Sequence, residues 1–284
     1  MEAADQATGL RRLLAGASVR TICVAGGVAG CGRTTLAANL AAALSRHGSR
    51  VLLLDGCSGA PRAAHLLGGE PGVDLLDALK EPGRGVSALT RCATNVDVLQ
   101  ADRTLRSLRR APDEIAAWLS EVLDSLRDTA DLLVIDTPVQ ALAPAVAASD
   151  LILVTTPDAQ SLMHTYSIIK RLAAHGGQRR GFVLVNRAAS AAQARRIFGN
   201  LARTAEDFLG VAVQYLGWLP DDDCITRAAA ARRAVLDAFP FSSAAQALRE
   251  CARNVHGWPA SGESSLAPFA QRLVNASRLA AQYV

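Results

Sequence analysis

TICVAGGVAGCGRTTLAANLAAAL, Thr21 to Leu44, decides how this chain is read. A short apolar run rich in β-branched residues (Thr21, Ile22, Val24) enters a glycine-rich bend. The bend opens directly into an alanine- and leucine-rich stretch with helical character. Gly27-x-x-x-x-Gly32-Arg33-Thr34 has the spacing of a phosphate-binding loop, G-x-x-x-x-G-K-[ST], with Arg33 where lysine belongs. Glycine is needed there because the backbone must turn tightly and bring its N–H groups against phosphate oxygens. The helix N-terminus behind the loop adds its dipole and its unpaired donors. The expected contacts with a nucleotide are Gly27, Gly30, Cys31, Gly32, Arg33, Thr34 and Thr35, with the Thr34 hydroxyl available to Mg²⁺. A glycine-rich turn without a ligand would share the glycines. The strand before the loop and the helix after it favour the phosphate loop.

Around this stretch, 284 residues can bury one substantial core. Hydrophobic residues make up 50% and charged residues 20%, the balance of a soluble globular chain. A net charge of +4, from 30 basic and 26 acidic groups, is too even to argue for nucleic acid, and no sequence-specific nucleic-acid partner is expected. The basic residues are almost all arginine. Lys80 and Lys170 are the only lysines, so none lies near the loop in any register. The six cysteines show no C-x-x-C pair and read as reduced, mostly buried thiols of a cytoplasmic protein. The five histidines have no metal-ligand spacing. The basic residues before ICVAGGVAG could mimic a signal peptide, but the apolar run is short, glycine-rich and continuous with the fold. No run reaches the ~18 apolar residues of a membrane span.

Along the chain, Val51–Asp55 (VLLLD) and Asp131–Asp136 (DLLVID) are continuous apolar runs that close on an acid, as buried strands of a parallel sheet do. Further strands are expected at 95–99, 151–155, 182–185 and 211–216, with helices over 34–47, 112–127, 160–174, 191–209, 222–232 and 242–254. Short helical pieces are expected near 63–67 and 73–80, and a turn-rich connector at 81–85. Alternating apolar strands and amphipathic helices give an α/β fold, a mostly parallel, doubly wound sheet with helices on both faces. Ligands bind such sheets at the carboxyl ends of the strands, where the loop, Asp55, Asp136 and Asn186 all fall. Three parts are expected: a segment 1–18, a nucleotide-binding domain 19–256, and a polar linker with a helix over 257–284. The first holds DQATGLRRL, a marginal helix with Leu10, Leu13 and Leu14 on one side, suited to a partner groove. The last carries Phe269 and Leu273 on an apolar face with basic flanks, the pattern of a helix that lies on a membrane.

The loop, VLLLD, DLLVIDTP and LILVTTPDAQS resemble, in order and spacing, the MinD/ParA class of deviant P-loop ATPases, and the likeness covers nearly the whole chain. Within that class, DQATGLRRL and the stretch VNRAASAAQARRIFGNLARTAEDFLGVAVQYLGWLPDDD are similar to the FlhG (FleN) family, regulators of flagellar number and placement. The resemblance implies ATP with Mg²⁺ as ligand, and either a monomer or an ATP-dependent homodimer. Thr34, Asp55 and Asp136 would hold the metal, the two aspartates would be the catalytic candidates, and Asn186 would contact adenine. Asp5, Gln6, Leu10 and Arg11 would engage FlhF, a signal-recognition-type GTPase, and stimulate it. A flagellar transcription activator, flagellar switch proteins and the inner-membrane surface at the cell pole are further implied contacts.

Four positions depart from the family pattern. Arg33 replaces the in-loop lysine, and its planar fork cannot take the place of a compact ammonium. Ala29 replaces the lysine that crosses to a partner's phosphate, Cys57 the second acid of D-x-D, and Gln140 a glycine near the γ-phosphate. Phosphoryl transfer is almost wholly positioning and charge stabilisation, so these losses imply weak or absent hydrolysis. Two other readings stay open. One is an active, ATP-switched dimer in which Arg33 does the lysine's work. The other is a ParA-like DNA-segregation ATPase using Arg179-Arg180, Arg195-Arg196 and Arg232-Arg233.

Overall fold

The computed structural model describes residues 18–59, 62–78, 88–139, 141–175, 180–259 and 263–282. Its centre is the strand of the opening motif, β1 (Arg20–Gly26), buried along its whole length. Seven further strands join it: β2 (Val51–Asp55), β3 (Leu89–Arg91), β4 (Val96–Gln100), β5 (Leu132–Asp136), β6 (Asp150–Thr155), β7 (Arg180–Ala188) and β8 (Val213–Pro220). The sheet order is β3-β4-β2-β5-β1-β6-β7-β8, parallel throughout except for the antiparallel edge strand β3. The expected α/β architecture is therefore the observed one. The edge strand β3 was absent from the sequence reading, because its three half-exposed residues carry no apolar run.

Helices cover both faces. In chain order they are α1 (Arg33–Arg46), α2 (Ala63–Leu66), α3 (Leu75–Ala78), α4 (Asp102–Ser107), α5 (Asp113–Ser125), α6 (Ala143–Ala147), α7 (Ala159–Ala174), α8 (Ala191–Leu209), α9 (Asp223–Ala230), α10 (Val235–Ala238), α11 (Ser243–His256) and α12 (Ala267–Gln282). One core holds α1 and α11 against Ile22, Val24, Leu53 and Val134. The other holds α5, α6, α7 and α12 against Cys23, Leu52, Leu133 and Ile135. The alternation of partners along each strand follows from the two-residue period of the pleat.

The C-terminal region corrects two expectations. The polar stretch after residue 256 does not leave the domain. Trp258 stacks on Phe182 at 3.7 Å, with the Arg20 guanidinium 5.0 Å from its ring, and Glu263 pairs with Val19 in an antiparallel bridge. Arg20 and Arg180 both pair with the fully buried Asp150, at 2.6 and 2.9 Å, which fixes this corner. The helix α12 that follows packs on α5, α6 and the 3₁₀ turn Leu108–Arg110. Phe269 and Leu273 are 0% and 1% exposed, so they face protein and are not available to a lipid surface. An apolar stripe with basic flanks fits either a bilayer or a neighbouring helix layer, and here α5 and α6 supply the cover. No helix among the described residues is long and apolar enough to cross a membrane. The DQATGLRRL segment, Gln140 and the connector 81–85 lie outside the described residues.

Candidate nucleotide and metal site

The loop joins β1 to α1 with the backbone the glycines were expected to supply. Gly30 and Gly32 have φ of +76° and +95°, and Gly32 is the N-cap of α1. Gly27 is needed for close approach, since a Cβ there would sit 2.3 Å from the Cβ of His164 on α7. The first turn of α1 has no acidic residue, so its positive end is left free for an anion. Gly30, Gly32, Arg33, Thr34, Thr35 and Ala29 line a cleft of about 470 Å³, closed on the far side by Cys57, Pro138 and Val139.

Arg33 lines that cleft without offering the compact ammonium of a phosphate-binding lysine. Its side chain is buried beneath the loop and its Nη1 donates to the carbonyl of Gly26 at 3.2 Å. Cys31 also turns inward: its thiol packs under Gly26 and burial pushes its pKa up. Asn186 is diverted too. Its Nδ2 donates to the Cys31 carbonyl at 2.8 Å and its Oδ1 accepts the Arg187 N–H at 3.0 Å, so it braces the loop and does not line the cleft. The residue of that strand end which does line the cleft is Arg187, held at φ +55°. Sequence reasoning passed over Arg187, because nothing in Asn186-Arg187 announces a left-handed non-glycine residue.

Asp55 and Asp136 end adjacent strands and pair in register, so their side chains meet. Asp55 is fully buried and fully engaged. Its Oδ1 accepts the Cys57 N–H at 3.1 Å, and its Oδ2 accepts the Ala63 N–H and Gln100 Nε2 at 3.0 and 3.1 Å. Burial raises its pKa, and those bonds oppose the rise. Asp136 is the contrast. It is 0% exposed, and neither carboxylate oxygen makes a hydrogen bond of ordinary geometry among the described residues, although the Thr34 hydroxyl and Cys57 thiol face it. Burial, with the nearby Asp55 charge adding, lifts its pKa to about 7.

Ligating atoms of Asp55, Cys57 and Asp136 lie within 4.8 Å of one another. A buried carboxylate with both oxygens unpaired, beside a threonine hydroxyl, fits a hard divalent cation such as Mg²⁺. Cys57 does not add to that fit. Burial and the Asp136 charge push its thiol up to about 12, so it stays neutral and donates to the Thr137 carbonyl at 3.2 Å. Thr34 and Asp136 are thus brought together as groups that could hold a metal ion, while Asp55 orders the loop behind them.

A glycine cradle at a helix N-terminus, at the carboxyl end of the central strand and beside a buried aspartate, defines a P-loop nucleotide-binding protein. Residues 22–235 match the CobQ/CobB/MinD/ParA nucleotide binding domain, and the chain belongs to that family. Within it, the chain is of the FlhG/FleN type: it is 33% identical to the antiactivator FleN of Pseudomonas aeruginosa, over 90% of this chain and 94% of FleN. It is also 23% identical to the flagellum site-determining protein YlxH of Helicobacter pylori, over 83% of this chain and 81% of YlxH. Among solved structures, the septum site-determining protein MinD of Pyrococcus horikoshii complexed with Mg-ADP superposes with a TM-score of 0.64 at 25% identity, over 84% of this chain and 96% of that one.

Proposed function

We propose that this protein is a MinD-like regulator of flagellar number and placement. It binds ATP with Mg²⁺, hydrolyses it weakly or not at all, and acts through contacts with other proteins. The observation that carries this reading is the division within one cleft. The binding parts are kept: the glycine cradle, Thr34 and the unpaired Asp136. The parts that drive turnover are missing: Arg33 is turned back to the Gly26 carbonyl, Ala29 carries no charge and Cys57 is a neutral thiol. Bound Mg²⁺ would supply charge neutralisation at the phosphates, held by Thr34 and Asp136. The loop N–H groups would hold the phosphates, and Arg187 would lie at the nucleotide's side of the cleft. The flagellar assignment draws on the FleN and YlxH relatives.

The partner contact is assigned to Asp5, Gln6, Leu10 and Arg11, which engage and stimulate FlhF; restraint of a flagellar transcription activator is a second output. Calorimetry with ATP in the presence and absence of Mg²⁺ tests the ligand: Mg²⁺-dependent binding with little phosphate release is expected. A GTPase assay with FlhF tests the partner. Stimulation by residues 1–20 that is lost in Gln6→Ala is expected, and no stimulation sinks the assignment. The alternative, an active ATP-switched dimer, is favoured if turnover is measured and Asp55→Ala abolishes it.

A further inference from the structure

Away from the nucleotide cleft, two cavities of about 420 and 520 Å³ adjoin at Arg106 and Arg109, which line both. The first is walled by Leu105, Pro138, Leu142 and Leu273, with Arg171 beside them. The second is walled by Leu76, Pro112 and Ile115, with Arg110 beside them. No acidic side chain lines either cavity. Of the carboxylates nearby, Asp102 pairs with Arg62 and Arg106 at 3.3 and 2.8 Å and Asp113 with Arg278 at 2.7 Å, while Glu114 is exposed on α5 and does not line either cavity. Arg109, Arg110 and Arg171 are exposed and have no ion pair among the described residues.

We propose that this groove docks an acidic amphipathic segment of a partner protein, with apolar anchors in the two hollows and carboxylates between them on Arg109 and its neighbours. Three arginines without counter-charges, set beside apolar hollows, are complementary to that pattern. Guanidinium forks pair bidentately with carboxylates, and arginine is prominent among residues that dominate binding energy. A bilayer is the poorer occupant. The apolar face of α12, which a membrane would need, is inside the protein. Pro138 and Val139 line both this groove and the nucleotide cleft, so an occupant of either touches the same two residues. The proposal does not depend on the flagellar assignment.

Fluorescence anisotropy on the full chain tests it. The probe is a fluorescein-labelled synthetic leucine–glutamate amphipathic peptide, with its lysine-for-glutamate twin as control. The glutamate peptide is expected to bind and the twin not to. Arg109→Glu combined with Arg171→Glu should weaken binding roughly tenfold or more. Ala280→Trp, which fills the first hollow without changing charge, should do the same. The arginine variants lie on exposed surface, and unchanged thermal melts will show that they fold. Equal binding of the twin, or affinity indifferent to both kinds of variant, overturns the proposal. So does binding of phosphatidylglycerol vesicles through Arg109 and Arg171 without binding of the peptide, which would assign the surface to a membrane.

Discussion

Asp136 shows how one side chain can set a pH response. The native carboxyl, with its pKa near 7, keeps a proton that the unfolded chain, titrating near 4, has already released. Over that window the native state binds more protons than the unfolded state, so stability falls as pH rises from about 4 to about 7 and then levels off. Asp136→Asn should flatten the fall and stabilise the protein at pH 8, read from urea melts at several pH values. Asp55, raised in the same direction, leaves a slope of the same sign. Arg33 carries a second expectation. Its Nη1 is tied to the Gly26 carbonyl, whereas a lysine at this position can direct its whole compact ammonium into the cleft. Arg33→Lys should tighten ATP binding by about tenfold, about 1.4 kcal/mol, measured by calorimetry.

At the scale of elements, the loop and the last helix make opposite cases. The loop could be read from its residues, because a left-handed N-cap at a strand-to-helix turn has one cheap solution, glycine. Gly32→Ala should destabilise the protein by about 1–2 kcal/mol or more from backbone strain alone. The new Cβ would also fall 2.2 Å from Asn186 Nδ2 and break the brace to Cys31, so ATP affinity should fall as well. The helix α12 could be read as an amphipathic helix but not as part of the core. Its period reports that one side is apolar, and the identity of the cover depends on α5 and α6, more than a hundred residues earlier. Phe269→Ala should therefore cost about 3–5 kcal/mol in a denaturant melt, the penalty of emptying a core site. Asn186 is a related case: sequence puts it at the right strand end but does not say which way its amide turns.

For the whole molecule, the parallel sheet and its covering layers followed from alternating apolar strands and amphipathic helices, since such strands need helices on both faces, while the strand order came only with the structure. The antiparallel edge, the docked stretch after residue 256 and the arginine-lined groove did not, because each rests on contacts between distant segments. Removal of residues 1–17, which leaves the bridge between Val19 and Glu263 intact, should abolish the stimulation of FlhF that the proposed partner contact predicts, measured in the GTPase assay. That same corner has a spatial consequence. The strand β1 has the nucleotide loop at one end and the bridge to Glu263 at the other, and seven extended residues span roughly 20 Å. Val19 and its bridge to Glu263 thus lie at the end of the sheet opposite the phosphates, and the corner that Asp150 and Trp258 hold together stands a full strand's length from the nucleotide mouth.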